Sequence, residues 1–257
     1  GELTVEKNGE VLSDYDGGFF ADSDEKAFVY KKGSLAGAKF DVYAAEDIYT
    51  ADKQLDENGN RIKIYSAGDL VAHLMTGDDG KAKVSDLPLG TYKVVETEAP
   101  FGYVLNEEEH IVTFRYVDQN TPVVKETVTI SDERQKFSLK IKKYDGETKE
   151  VVPGAVFGLY AGQDITDNDG KIIVKANTLL EKATSDEYGM VNFIKDYPFG
   201  NYYAKELEIP AGYVSTDETV SYDAKYRGQK ISCYEIKHEV SNLSLIHISE
   251  PTRRRGI

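Results

Sequence analysis

The sequence predicts an all-β protein of two tandem β-sandwich domains arranged end to end. Runs such as Tyr92-Lys-Val-Val-Glu-Thr97 and Phe137-Ser-Leu-Lys-Ile-Lys-Lys143 alternate apolar and polar residues, the period of a half-buried strand. Turn signals punctuate the chain at Asn58-Gly59, Asp79-Gly80, Leu89-Gly90, Asp169-Gly170 and Pro210-Ala-Gly212. The two halves also repeat each other over a domain length, and no convincing amphipathic helix interrupts either copy.

The repeat is read directly from paired segments. Ala38-Lys-Phe-Asp-Val-Tyr-Ala-Ala-Glu-Asp-Ile48 matches Ala155-Val-Phe-Gly-Leu-Tyr-Ala-Gly-Gln-Asp-Ile165. Leu89-Gly-Thr-Tyr-Lys-Val-Val-Glu-Thr-Glu-Ala-Pro-Phe-Gly-Tyr103 matches Phe199-Gly-Asn-Tyr-Tyr-Ala-Lys-Glu-Leu-Glu-Ile-Pro-Ala-Gly-Tyr213. Val123 to Ile130 reads as the last strand of the first copy and Phe137 to Lys143 as the first strand of the second. This places one domain at 1–134, with an insertion at about 17–32, and the other at 135–242. With so few residues between them the joint should be stiff, and the protein a monomer or part of a longer multidomain chain. The insertion reads as a hairpin on the first domain: Asp16-Gly17-Gly18 supplies a turn and Phe28-Val-Tyr30 can pair. Residues 44–70 and 161–180 are longer polar connections with room for one helical turn. Residues 243–257, beginning Leu243-Ser-Leu-Ile-His-Ile-Ser-Glu-Pro-Thr-Arg253, resemble the conceptual translation of a sequencing adapter and are set aside from the fold.

Composition narrows the function classes. The 257 residues are 40% hydrophobic and 11% aromatic, so each half can bury a core. A net charge of −14, spread along the chain, argues against nucleic acid or an anionic membrane as partner, since both need clustered Lys and Arg. No apolar stretch has the length of a membrane span, so no membrane insertion is expected in this segment. Residue 1 is Gly and no signal peptide is visible, so the chain reads as an internal segment. Cys233 is the single cysteine, His73, His110, His238 and His247 are scattered, and the loops at 56–60 and 164–171 lack EF-hand spacing. No disulfide, metal or cofactor is expected.

The strand period singles out ionisable residues on apolar faces. In the first copy Leu3, Val5 and Lys7 are in phase, as are Tyr92, Val94 and Glu96, and Val128, Ile130 and Asp132. In the second, Phe137, Leu139, Ile141 and Lys143 share a face, as do Tyr202, Ala204 and Glu206, and Ile236, His238, Val240 and Asn242. Strand Lys and Glu usually face solvent, so phase alone does not assign them a role.

The segment Tyr92-Lys-Val-Val-Glu96-Thr-Glu-Ala-Pro-Phe-Gly-Tyr103, its looser copy Tyr203-Ala-Lys-Glu206-Leu-Glu-Ile-Pro-Ala-Gly-Tyr213, and the opening Lys143-Tyr-Asp145 followed by Pro153-Gly-Ala-Val-Phe157 resemble the CnaB-type (SpaA-like, prealbumin-like) domains of Gram-positive surface adhesins and pilins. The resemblance covers nearly all of residues 1–242. It implies Ig-like, prealbumin-like sandwiches in which a first-strand Lys attacks a last-strand Asn or Asp, assisted by a Glu, to form an isopeptide bond. The triads so implied are Lys7, Glu96 and Asp132, and Lys143, Glu206 and Asn242. The chemistry suits burial: an apolar site disfavours the ammonium, yields the nucleophilic amine and raises the Glu pKa until it can donate a proton. Asn242 would lose ammonia; a protonated Asp132 would lose water. The first domain departs from the family pattern, because Lys7 is followed by Asn8-Gly9 and an insertion, and Lys26 is the alternative nucleophile.

The expected function is therefore a structural or adhesive stalk segment, extracellular at the cell wall, self-cross-linked once and without enzymatic turnover. A host extracellular-matrix protein or glycan is the implied kind of partner. The alternative is a carbohydrate-binding module of a secreted enzyme, with Tyr15, Phe19, Phe20 and Tyr30 as stacking residues. A glycoside hydrolase or protease has no recognisable motif here.

Overall fold

The computed structural model describes residues 1–16, 26–50, 54–214 and 218–245. Its strands, in chain order, are β1 (Glu2–Asp16), β2 (Ala27–Ser34), β3 (Lys39–Ala44), β4 (Ile48–Tyr49), β5 (Lys63–Tyr65), β6 (Leu70–Met75), β7 (Lys81–Val84), β8 (Gly90–Glu98), β9 (His110–Phe114) and β10 (Lys125–Asp132). The second copy continues with β11 (Lys136–Asp145), β12 (Val156–Ala161), β13 (Ile165–Thr166), β14 (Ile172–Val174), β15 (Leu179–Thr184), β16 (Met190–Phe193), β17 (Gly200–Glu208), β18 (Tyr213–Val214), β19 (Thr219–Ala224) and β20 (Cys233–Ser244).

Each copy is a sandwich of two four-stranded sheets. In the first, β1 pairs in parallel with β10, antiparallel with β7, and also with β2; the facing sheet runs β6-β3-β8-β9. In the second, the sheets run β16-β11-β20-β18 and β15-β12-β17-β19, with β11 and β20 again parallel. The inward faces meet in two cores. Leu3, Val5, Phe40, Val42, Tyr92, Val94, Phe114 and Ile130 fill the first. Leu139, Ile141, Phe157, Leu159, Val191, Tyr202, Ala204 and Val240 fill the second. The alternation of buried and half-buried residues along β1 and β11 is the period-two pattern realised.

Buried polar groups are matched between the copies. Thr76 Oγ1 donates to Leu35 O at 2.8 Å and accepts the Ala38 N–H at 3.0 Å. Ser185 Oγ does the same with Val152 O and the Ala155 N–H, at 2.8 and 2.9 Å. A hydroxyl that both donates and accepts leaves no unpaired backbone group at these strand ends.

The polar connections form two-stranded ladders rather than a helical turn. β4 pairs with β5, and β13 with β14. The reason is turn chemistry: Asp56 Oδ1 accepts the N–H groups of Asn58 and Asn60, and Asp167 Oδ1 those of Asp169 and Lys171. A side chain that satisfies the turn's own backbone competes with helix formation.

Two compact units divide the chain. One comprises residues 1–11, 31–135 and 227–232; the other comprises 12–30, 136–226 and 233–257. In the first unit Gln135, nearly inaccessible, accepts the Arg227 N–H at 2.7 Å and donates to Gly228 O at 2.9 Å. In the second, Phe28 belongs to the buried core, with Leu12, Tyr15 and Tyr30 packed against it. Phe28 lies 4.8 Å from Tyr15 and 6.2 Å from Tyr197 by ring centroids, and the Asn168 N–H donates to Leu12 O at 2.9 Å. The loop expected to carry the insertion's turn, Asp16-Gly17-Gly18, lies largely outside the described residues, as do Phe19 and Phe20. At the other end, β20 extends to Ser244, pairing Leu243 with Val214 and Ser244 with Tyr213, while residues 246–257 lie outside the described residues.

Phe28→Ala should destabilise the second unit by about 3 kcal/mol, the usual cost of deleting a buried ring. Amide exchange in the full chain should quicken in β15 and β17 and stay unchanged in β3 and β8. Equal quickening in both sets, or none, would contradict the assignment of Phe28 to the second core.

Candidate functional site

Each sandwich encloses one lysine between its sheets. Lys7 lies on β1 and Lys143 on β11, with side chains sealed from solvent. Their placement follows from register. Lys7 pairs with Ile130, and Lys143 with Val240, so the residue two further along each last strand, Asp132 or Asn242, shares the lysine's inward face. The third member comes from the opposite sheet, Glu96 on β8 and Glu206 on β17. Both ladders slip by one residue beside this Glu: between Lys39 and Phe40 against β8, and between Val156 and Phe157 against β17. Such bulges bend a strand and re-aim a side chain.

In the first unit Lys7 Nζ is 2.8 Å from Glu96 Oε1 and in hydrogen-bond contact with Asp132 Oδ1. Glu96 Oε2 accepts the Asn106 N–H at 3.0 Å. Burial pushes Glu96 up to about 7, against the opposing pull of Lys7 and the Asn106 N–H, with Asp132 adding to the rise. Burial also raises Asp132, with Lys7 again opposing. Two carboxyls facing one ammonium in an apolar interior favour the state in which a proton is shared between them.

In the second unit Lys143 Nζ donates to Asn242 Oδ1 at 2.6 Å and lies 3.4 Å from both Glu206 oxygens. Asn242 Nδ2 donates to Glu206 Oε1 at 2.9 Å. The Glu therefore touches both the amine and the nitrogen of the amide. Burial lowers the Lys143 pKa, partly offset by Glu206, which favours the free amine.

All six residues of the triads that the resemblance implies thus come together, three in each domain. Lys26 is exposed and falls in the other compact unit from Glu96 and Asp132. Strand phase did not reveal the aromatic floor: the Phe40 ring lies 5.5 Å below Lys7 Nζ and the Phe157 ring 5.4 Å below Lys143 Nζ. The matched Ala-x-Phe segments carried that signal. Two glycines complete the site, Gly80, which the sequence marks only as a turn residue, and Gly189. Each has positive φ, each accepts the lysine's backbone N–H at 2.7 Å, and a Cβ on either would collide with that lysine's carbonyl oxygen. Among the described residues, no cluster of His, Cys, Asp or Glu is arranged to hold a metal, and no helix is long and apolar enough to cross a membrane.

The family described as SpaA, a prealbumin-like fold domain, matches residues 26–132 and again 137–235. The chain belongs to this family. Its two SpaA domains are similar to part of the Bacillus anthracis TIE protein, at 28% identity and a TM-score of 0.56 over 95% of this chain and 34% of that one. This chain thus spans about a third of that protein's length. Further similar structures are the shaft pilin SpaA of Lactobacillus rhamnosus GG (18% identity, TM-score 0.31, 95% of this chain and 97% of that one) and the minor pilin GBS52 of Streptococcus agalactiae (16%, 0.32, 98% and 99%). No match is found among curated proteins.

The buried charges of the first SpaA domain generate a pH test. In Lys7→Met the two carboxyls lose their counter-charge. A carboxyl whose folded pKa exceeds its unfolded value contributes stability below the unfolded value and loses it as pH rises through the folded one. Glu96 and Asp132 both have this sign. On going from pH 5 to pH 8 the variant should therefore lose about 3–5 kcal/mol more than the parent does, in addition to any loss common to both pH values. Thermal denaturation at both pH values checks this, and a pH-independent loss would contradict it.

Proposed function

We propose that this chain is a structural stalk segment of a Gram-positive cell-wall surface protein or pilin, each SpaA domain of which locks itself with one amide bond between its first and last strands. The observation that carries the reading is the sealed lysine amine held in each domain against both a last-strand carbonyl group and a carboxyl from the facing sheet.

The chemistry balances with the residues present. In the second domain Glu206 takes a proton from the Lys143 ammonium, and the freed Nζ attacks the Asn242 side-chain carbon. The C–N bond to Nδ2 then breaks as Glu206, already hydrogen-bonded to that nitrogen, passes it the proton and takes the second Nζ proton in exchange; ammonia leaves and carries that last proton away as ammonium. In the first domain Lys7, once its ammonium proton has passed to Glu96, attacks the protonated Asp132 carboxyl; Glu96 gives that proton to the hydroxyl as the C–O bond breaks, water leaves, and Glu96 takes the surplus proton from Nζ. The folded domain supplies proximity and a dry site, which together make the step unimolecular. Each carboxyl is regenerated but its substrate is consumed, so each domain reacts once.

The bonds would close segments whose ends are 125 and 99 residues apart. By analogy with disulfides, constraining loops of this length stabilises by up to about 4–5 kcal/mol. That does for a chain with a single Cys what disulfides do in other secreted proteins. The carbohydrate-binding alternative loses two of its four stacking residues, since Tyr15 and Tyr30 pack against the second core.

The intact mass of the full chain should fall short of the plain sequence by one water and one ammonia, with branched Lys7 and Lys143 peptides after digestion. Glu96→Ala should abolish only the water loss and Glu206→Ala only the ammonia loss. Asp132→Asn should replace the water loss by a second ammonia loss. Because Glu96 is a proton donor only below its pKa of about 7, the first reaction should slow as pH rises above that value. A mass equal to the plain sequence, with no branched peptide, would overturn the reading.

A further inference from the structure

We propose that Asn106 is a positioning residue for the first-domain reaction: it fixes the Glu96 carboxyl against Lys7 and ties the loop that does so to the strand bearing Asp132. This rests on the cross-linking reading above and goes beyond it to a residue outside the triad.

The two Glu96 oxygens have divided duties. Oε1 faces the lysine amine and Oε2 accepts the Asn106 backbone N–H. A glutamate has three rotatable bonds, and its last torsion is broad and nearly two-fold. A donor fixed at one oxygen therefore determines where the other points. What fixes the donor is the Asn106 side chain. Its Oδ1 accepts the Glu108 N–H at 2.9 Å, closing a local turn, and its Nδ2 donates to Ser131 O at 3.3 Å, one residue before Asp132. The preceding amides are also bound, Val104 N–H to Glu133 O and Leu105 N–H to Gln229 O, both at 2.9 Å. One residue thus links the proton carrier on β8 to the acyl donor's strand, β10.

A groove of about 310 Å³ runs between this loop and the last strand, lined by Val104, Leu105, Asn106, Ser131, Asp132 and Glu133. Among the described residues, the titratable groups facing Glu96 are Lys7 from β1 and Asp132 from β10, with Asn106 adding a neutral donor from the loop. Loosening that donor removes an interaction favouring the carboxylate, so the pH at which Glu96 stops donating a proton should rise.

The test uses the full chain, recovered unreacted in denaturant and refolded by dilution across a pH series, with intact mass followed over time. Asn106→Ala should slow water loss by roughly ten- to a hundredfold, as for a misplaced catalytic group. It should move the alkaline limb of the rate profile to higher pH and leave ammonia loss in the second domain unchanged. Asn106→Ser, whose hydroxyl can still accept the Glu108 N–H, should recover much of the rate and the parental profile, and it carries the test if the Ala variant does not fold. Water loss at the parental rate and pH dependence would overturn the proposal while leaving the cross-linking reading standing. So would slowing with an unmoved pH profile, or equal slowing of both domains, since each marks a purely structural role. Absence of water loss from the parent chain would overturn both.

Discussion

The parallel pairing of first strand with last is the constraint on which each domain depends. Parallel neighbours cannot be joined by a tight turn, so everything between them must travel out and back before the ladder closes. The eight paired positions from Glu2 to Gly9 against β10, and the ten from Lys136 to Asp145 against β20, therefore join segments far apart in sequence. They also leave both partners at the same depth in the core. A lysine on one strand and a carbonyl-bearing side chain two residues beyond its partner on the other then share one inward face. The facing sheet needs to contribute only one carboxyl.

The two triads solve the same burial problem with different charge. The second sets one carboxylate against one ammonium and uses a neutral amide as third member, so its charges cancel. The first has two carboxyls and one ammonium, and its excess negative charge cannot be screened by water in a sealed site. Protonation relieves it, which is why burial is the leading cause of the rise at both Glu96 and Asp132. The extra donor from Asn106 acts against that rise. The first site is thus the one whose behaviour should follow the pH of its surroundings.

The parts legible in the sequence were those encoded by local period and by repetition. The inward phase of Lys7, Glu96, Asp132, Lys143, Glu206 and Asn242 can be read from neighbouring apolar residues, because a strand offers only two faces. Repetition made the pairing of Glu96 with Glu206 secure. Destinations were not legible. Phe28 and Tyr30 advertise an apolar strand but not which core receives them, and residues 12–30 cluster with the second unit. Residues 227–232 are polar and turn-like, and nothing local shows that they meet Gln135. Asn106 was hidden for a related reason: its contribution is a backbone N–H, which every residue but proline has. Only the turn closed by its side chain distinguishes it.

Chain order would give the proposed cross-links a mechanical meaning. Because β1 and β10 are parallel, the chain enters the ladder at Glu2 and leaves it at Asp132, at opposite ends of the paired region. Tension along the chain would load that ladder in shear, all its hydrogen bonds together, rather than unzip it one bond at a time. An amide from Lys7 to Asp132 changes the path again. Load would pass along residues 2–7, cross the covalent bond and leave through residue 132, so residues 8–131 would carry none of it. In the second domain the loaded path is 136–143 and then 242 onward. The Glu-bearing strands β8 and β17 lie inside the shielded segments. The parts of each domain that must hold the lysine, the carboxyl and the acyl donor in place during reaction would therefore be protected from extension once the reaction is complete.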